Sequence, residues 1–217
     1  MSRSAGVDVI SGEGLDSALE GVDAVIDTSS TNAFDADAAT AFFQTASTNL
    51  LAAERRSGVR LHVALSILGI DLIAGNAHYA GKRRQEAVVT AGPIPHRIVR
   101  ATQFFEFAET VASWTRQGDT AVVPPLLVQP IALGDVATVL VEAATLADFP
   151  ATIDVAGPEP QDLVDMARRT LAARGQSLTL VPSWSGPLGL DMAGDVLLPG
   201  PDARIMPTTF DQWLAAI

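Results

Sequence analysis

Short apolar runs alternate with helical patterns along most of this sequence, and that alternation restricts the fold more than any other feature. Val22–Asp27 (V-D-A-V-I-D) is an apolar run of the kind found in strands buried on both faces. Leu61–Leu65 is a second buried strand, and Arg97–Arg100, Thr152–Ala156, Val7–Ile10 and Leu178–Val181 read as further short strands. Ala121–Val123 and Leu126–Val128 flank Pro124-Pro125 and read as short edge pieces. Between the first two runs, Phe42, Phe43, Ala46, Leu50 and Leu51 recur at helical spacing across Asp35–Arg56, and Ser57-Gly58 stops the pattern. Further helices are predicted over Glu13–Glu20, His78–Thr90, Phe105–Arg116, Val136–Thr145 with Asp135 as N-cap, Leu163–Ala173 and Phe210–Ile217. Strands that alternate with helices in this way predict an α/β fold built on a parallel, doubly wound sheet.

Composition narrows the class of function. The chain has 217 residues, 48% of them hydrophobic and 18% charged, which suits a globular core. It has no cysteine, so disulfides and thiolate metal sites are excluded, and His62, His78 and His96 are scattered rather than clustered. A net charge of -11 argues against nucleic acid and anionic membranes as partners. No apolar run approaches the roughly 20 residues of a membrane span, and the first residues lack a signal-peptide core. The expectation is a cytoplasmic protein, monomer or homodimer, acting on a small molecule.

The stretch Ser66–Glu86 carries the chemistry. Ser66 follows the strand Leu61–Leu65, and ligands of open α/β sheets bind at the carboxyl ends of strands. A basic helix then starts near His78 and presents Tyr79 and Lys82. Tyr79 lies three residues before Lys82 and His78 four, and both spacings share a helix face. A hydroxyl, an acid-base group and a lysine can together move a proton onto a carbonyl oxygen. Tyr79 is the only tyrosine, and His78 is the competing acid because an ordinary imidazole titrates near physiological pH. His62 and His96 read as partly exposed structural residues, and Phe105 and Phe107 as core.

Six blocks carry a family resemblance: V-D-A-V-I-D-T-S-S, T-N-L-L-A-A-E-R-R-S-G-V-R, H-V-A-L-S-I-L-G-I, Y-A-G-K-R-R-Q-E, R-I-V-R-A-T-Q-F-F-E-F and G-D-V-A. In order and spacing they resemble the atypical short-chain dehydrogenases of the NmrA-like, NAD(P)H-binding branch. The resemblance implies a Rossmann-like domain over residues 1–150 and a small substrate lobe over 151–217 packed on it. It implies NADP, or NAD, as cofactor. Lys82 would hold the nicotinamide ribose and the acid, and Ser66 would orient the substrate. Thr28, Ser29 and Ser30 would contact the adenosine and pyrophosphate side, and Thr102, Gln103 and Phe104 would close over the nicotinamide. Arg3 falls where NADP-dependent members place an arginine for the 2′-phosphate. The position of the family tyrosine is held here by His78.

One block of the family pattern does not occur. The G-x-x-G-x-x-G turn, whose amides approach a pyrophosphate, has no counterpart; Gly12-Glu13-Gly14 lacks a third glycine in register. The expectation is a sheet lacking one βαβ unit, with Val22–Asp27 as an open apolar edge. Either the natural reading frame starts further upstream, or the chain is a shortened remnant with impaired cofactor binding. The function implied is hydride transfer to a carbonyl or activated double bond. A non-catalytic NAD(P) sensor that regulates a partner is the alternative, and an inactive remnant the third.

Overall fold

The computed structural model describes residues 6–185 and 188–217. In chain order the elements are α1 (Leu15–Ala18), β1 (Ala24–Asp27), α2 (Ala36–Ser57), β2 (Leu61–Ile67), α3 (Ala77–Thr90), β3 (His96–Ala101) and α4 (Phe107–Trp114). There follow β4 (Thr120–Val123), β5 (Leu127–Val128), α5 (Leu133–Thr145), β6 (Thr152–Ala156), β7 (Gln161–Asp162), α6 (Leu163–Ala173), β8 (Thr179–Pro182), β9 (Arg204–Ile205) and α7 (Phe210–Leu214). Five strands make a sheet in the order β1-β2-β3-β6-β9. β1 pairs in parallel with β2, Ala24 opposite Leu61 and Asp27 opposite Ala64, and β6 pairs in parallel with β9. Ile98 N–H bonds to Ala151 O and Thr102 N–H to Val155 O, a four-residue step in the same direction on both chains, as parallel strands require. The α/β fold with a parallel sheet is therefore as the alternation predicts.

The chain divides into two compact units, Met1–Arg100 with Val139–Ile153, and Ala101–Thr138 with Asp154–Ile217. The second unit thus takes in residues 101–138 as well as 154–217. In the first unit, α2 is closed at both ends by local chemistry. Asp35 accepts Ala38 N–H at its start, and Gly58 turns left-handed (φ 75°) at its end, beside Arg55 and Arg56 in the last turn. α3 starts on Asn76, whose side chain accepts the N–H groups of His78 and Tyr79. α2 packs on α3, and the core between helices and sheet includes Leu51, Ala64, Val89 and Ile94. A second cluster joins Leu15, Leu19, Val25, Leu50, Ala53 and Val59.

In the second unit β4 pairs with β8 and β5 with β7. α7 is fixed by a capping box of Thr209 and Gln212. Phe210 and Trp213 of α7 stack on each other, and Phe105 packs tilted against both, with Arg169 over the Phe210 face. Phe105 is core, as its sequence context predicts, and Phe107 meets Trp114 edge to face. No helix among the described residues is long and apolar enough to cross a membrane.

Four expectations are corrected. Val7–Ile10 is not a strand: Asp8 accepts Ile10 N–H through its side chain, Gly12 N–H bonds to Asp8 O, and the segment turns. Val7 and Val9 instead pack on the cluster around Val25, and Asn49 donates to the carbonyls of Val9 and Ile10. β1 is not buried on both faces. Val25 is buried but Ile26 is 37% exposed, because β1 is the terminal strand and among the described residues pairs only with β2. Asp135 is not an N-cap, since α5 starts two residues earlier; its carboxylate accepts Thr208 N–H at 3.1 Å instead. His62 is not partly exposed, for it is fully buried as the second residue of β2.

Candidate functional site

Of the sequence-predicted residues of the first unit, Lys82 is brought to the carboxyl ends of β1 and β2, beside Ser29 and Ser66. β2 runs to Ile67, so Ser66 stands inside the strand rather than beyond it, and it is buried. Asp27, the last residue of β1, stands opposite Ala64, and Ser29 and Ser66 each follow that pair by two residues along the chain. Lys82 spans both ends from α3. Its Nζ donates to Ser29 O at 3.2 Å, to Leu65 O at 2.9 Å and to Gln85 Oε1 at 2.9 Å. An ammonium has three N–H groups, and all three are used inside the protein. The Phe43 ring lies 4.6 Å from the same nitrogen.

Behind this clamp runs a buried polar chain. The Gln85 amide, oxygen toward Lys82, donates through Nε2 to Asp27 Oδ2 at 2.8 Å. The other oxygen of Asp27 accepts Ser29 N–H at 2.8 Å. His62 Nε2 lies 4.0 Å from Asp27 Oδ2, and His62 Nδ1 is 2.8 Å from Glu54 Oε1. Sequence reasoning missed Asp27, Gln85, Glu54 and Phe43. Gln85 carried a signal, since three residues after Lys82 is the same helix face. Asp27 carried another, as a charge that closes an apolar strand. Glu54 carried none, because its partner lies on the next element.

The electrostatics follow from burial. Desolvation lowers Lys82 from 10.5 to about 8, opposed by the charges of Asp27 and Glu86. His78 is lowered from 6.5 to about 4, by burial first and by the Lys82 charge second. Its imidazole is therefore neutral at physiological pH, unlike the ordinary histidine that made it a candidate acid. Its ring sits edge-on to Phe43, and Tyr79 beside it is buried.

A pH effect on stability follows. As pH falls through 6.5, the unfolded chain takes a proton on His78 that the folded chain refuses until about 4, so stability is lost across that window and then levels. His78→Gln is expected to lose less stability than the parent between those limits in urea denaturation. Equal losses would show that His78 is not shielded.

Two hydroxyls at this place have no hydrogen-bond partner although their oxygens are buried: Ser29 Oγ and Ser66 Oγ. Thr28 and Ser30 lie exposed on either side of Ser29. In the second unit, Thr102 and Gln103 are buried just past β3; Thr102 Oγ1 is also buried without a partner, and Gln103 O accepts Ile131 N–H. Phe104 makes a single bridge to Ile131. Arg3 lies outside the described residues. Among the described residues no group of three or more histidine, aspartate or glutamate side chains could hold a metal ion.

No family model matches the chain, and no curated protein matches it in sequence. Solved structures do match in fold. A dTDP-4-dehydrorhamnose reductase from Bacillus anthracis in complex with NADP is 13% identical with a TM-score of 0.70, over 98% of this chain and 86% of that one. A nucleoside-diphosphate-sugar epimerase from Staphylococcus aureus is 14% identical with a TM-score of 0.69, over 96% and 81%. An NADPH-dependent quinone oxidoreductase from Escherichia coli, complexed with NADPH, is 17% identical with a TM-score of 0.62, over 82% of this chain but only 61% of its own. The chain thus has the fold of these reductases and epimerases.

Proposed function

We propose that this chain is an NAD(P)H-dependent oxidoreductase-like protein acting on a small carbonyl or unsaturated substrate. The observation that carries the reading is the pair of buried, unpartnered hydroxyls of Ser29 and Ser66 at adjacent strand ends. A buried hydroxyl with no partner costs about 1 kcal/mol or more, and a ligand group that both gives and takes hydrogen bonds removes that cost. Sugar hydroxyls, a carboxamide and a substrate carbonyl all qualify. These residues fit the sugar and carbonyl end of a nicotinamide nucleotide. They do not supply a phosphate cradle: the sequence has no G-x-x-G-x-x-G, and the Lys82 N–H groups are occupied. Arg3, Thr28 and Ser30 belong to the same proposal as cofactor contacts.

In this reading Ser66 donates to the substrate oxygen and orients it. Tyr79 gives that oxygen its proton, because His78 is neutral. Lys82 is a positioning residue that ties Ser29 O and Leu65 O together and keeps the two hydroxyl-bearing ends adjacent. A bound nicotinamide supplies the hydride. Water is kept from the ammonium by Phe43 and by the packing of α3 on α2.

Turnover of NADPH against a panel of small aldehydes, ketones and quinones tests the assignment. Tyr79→Phe is expected to cut the rate by about tenfold or more. Ser66→Ala is expected to raise the stability of the free protein by about 1 kcal/mol, since it removes an unpaired buried hydroxyl, while it lowers the rate. An unchanged rate in Tyr79→Phe would remove that residue from the mechanism. Nucleotide binding without turnover of any substrate would favour a sensor.

A further inference from the structure

Glu54 and His62 are fully buried, yet neither has a place in the reading above. When Glu54 is ionised its carboxylate accepts from Nδ1–H, which leaves the Nε2 of a neutral His62 without a proton. That Nε2 is buried, has no hydrogen-bond partner and faces Asp27 Oδ2 across 4.0 Å; Glu54 Oε2 is likewise buried and unpartnered. Two carboxylates and one ammonium, with His62 neutral, leave the chain Glu54–His62–Asp27–Gln85–Lys82 one negative charge in excess. One more proton on His62 balances it.

We propose that the Glu54–His62 pair is a proton-dependent positioning device for Lys82, and through it for the ends of β1 and β2. A proton on Nε2 turns an idle contact into a charged donor aimed at Asp27 Oδ2, and a closure of about 1 Å completes the hydrogen bond. Asp27 Oδ2 already accepts from Gln85 Nε2, so the new donor draws the carboxylate toward β2 and weakens the Gln85 contact. The Gln85 amide is what presents its oxygen to Lys82. Protonation at the sheet is thus felt at the ammonium that joins Ser29 O and Leu65 O. The device does not depend on whether the chain turns over a substrate.

Among the described residues the groups that face His62 are few, and Lys82, on which the device acts, also feels Glu86 and His78. α2 presents Glu54, β1 presents Asp27, and α3 reaches it through Gln85 and Lys82. From the β3 side the His62 N–H bonds to Pro95 O. The β3 arginines are committed elsewhere, Arg97 to the carbonyls of Ala143, Leu146 and Ala147, and Arg100 to Glu86 and Asp71. His96 is half-buried at the start of β3.

Lys82 is the only lysine in the chain, which makes the test direct. Protein carrying carbon-13 lysine gives one side-chain Cε resonance, and its shift is followed against pH. His78 also feels the ammonium, so the measurement is made on His78→Gln, whose Cε shift is expected to show, beside the inflection of the ammonium, a lower one that depends on His62. Glu54→Gln keeps the side-chain shape but removes the charge that favours imidazolium, so the lower inflection is expected to move down by about one pH unit. His62→Gln is expected to abolish it. A single inflection in His78→Gln overturns the proposal, and so does a lower inflection that survives His62→Gln in that background or is unmoved by Glu54→Gln in the folded protein.

Discussion

Lys82→Met is expected to destabilise the protein by about 2–3 kcal/mol, and the deficit is expected to grow at alkaline pH. Two effects oppose each other. Methionine removes the desolvation of a buried ammonium, a real cost that the lowering of the amine from 10.5 to about 8 reflects. It also leaves Ser29 O, Leu65 O and Gln85 Oε1 without a donor and Asp27 without its neighbouring cation. Each buried acceptor left unpaired costs about 1 kcal/mol or more, and removing one partner from a buried charge network outweighs the relief. The pH dependence separates the terms. Between about 8 and 10.5 the unfolded chain keeps the lysine proton that the folded chain has released, so the parent gains stability as pH rises through that range. The methionine variant has no such group, and the gap widens. Urea denaturation of both proteins across that range checks it; a gap that narrows with pH would mean the lysine is not shielded.

The second large effect lies at the helix contact behind the clamp. Gly81 is central in α3, where a glycine costs about 1 kcal/mol of helix stability relative to alanine. A Cβ there would lie 2.5 Å from Phe43 Cδ2, 2.9 Å from Cε2 and 3.2 Å from Ala39 O. The Phe43 ring is fully buried and is held by Phe42 at 5.3 Å, His78 at 5.9 Å and the Lys82 ammonium, so it cannot step aside cheaply. Overpacking of this kind costs roughly 1–3 kcal/mol and exceeds the gain in helix propensity. Gly81→Ala is therefore expected to be net destabilising by about 2 kcal/mol. Phe43→Leu frees space at the ring edge, so the double variant is expected to be more stable than Gly81→Ala alone, with a coupling of about 1–2 kcal/mol. Additive effects in a double-mutant cycle would show that the ring and the glycine do not meet.

The alternation of runs and helical spacings made the sheet, α2, α3 and α6 legible, because period and length are local properties. The placement of Ser66 toward the end of β2 and of Tyr79 and Lys82 on α3 was legible for the same reason: strand ends and helix positions follow from spacing. What spacing does not contain is pairing. Val22–Asp27 has the composition of an inner strand, and it was the unmatched glycine-rich block, not the spacing, that marked it as an open edge; the strand order accordingly leaves Ile26 exposed. Val-Asp-Val-Ile at residues 7–10 alternates like a strand, yet the Asp8 side chain supplies a nearer partner for the backbone. His62 is one polar residue in an apolar run, and its burial follows from Glu54 on another element. The role of Lys82 changed most. Its position on α3 was evident from sequence, but its three N–H groups meet acceptors on β2, on the loop after β1 and on α3, so it joins the site together before any ligand arrives.

The most direct test of the proposed function is a fluorescence titration of NADPH into the 217-residue chain and into Ser66→Ala, with thermal unfolding recorded alongside. Expected is a saturable signal with the parent and a rise in unfolding temperature with NADPH concentration. Ser66→Ala is expected to start from a higher unfolding temperature yet bind more weakly. No saturable signal with the parent, or equal binding by the variant, would contradict the assignment of the Ser29 and Ser66 hydroxyls to a nicotinamide nucleotide.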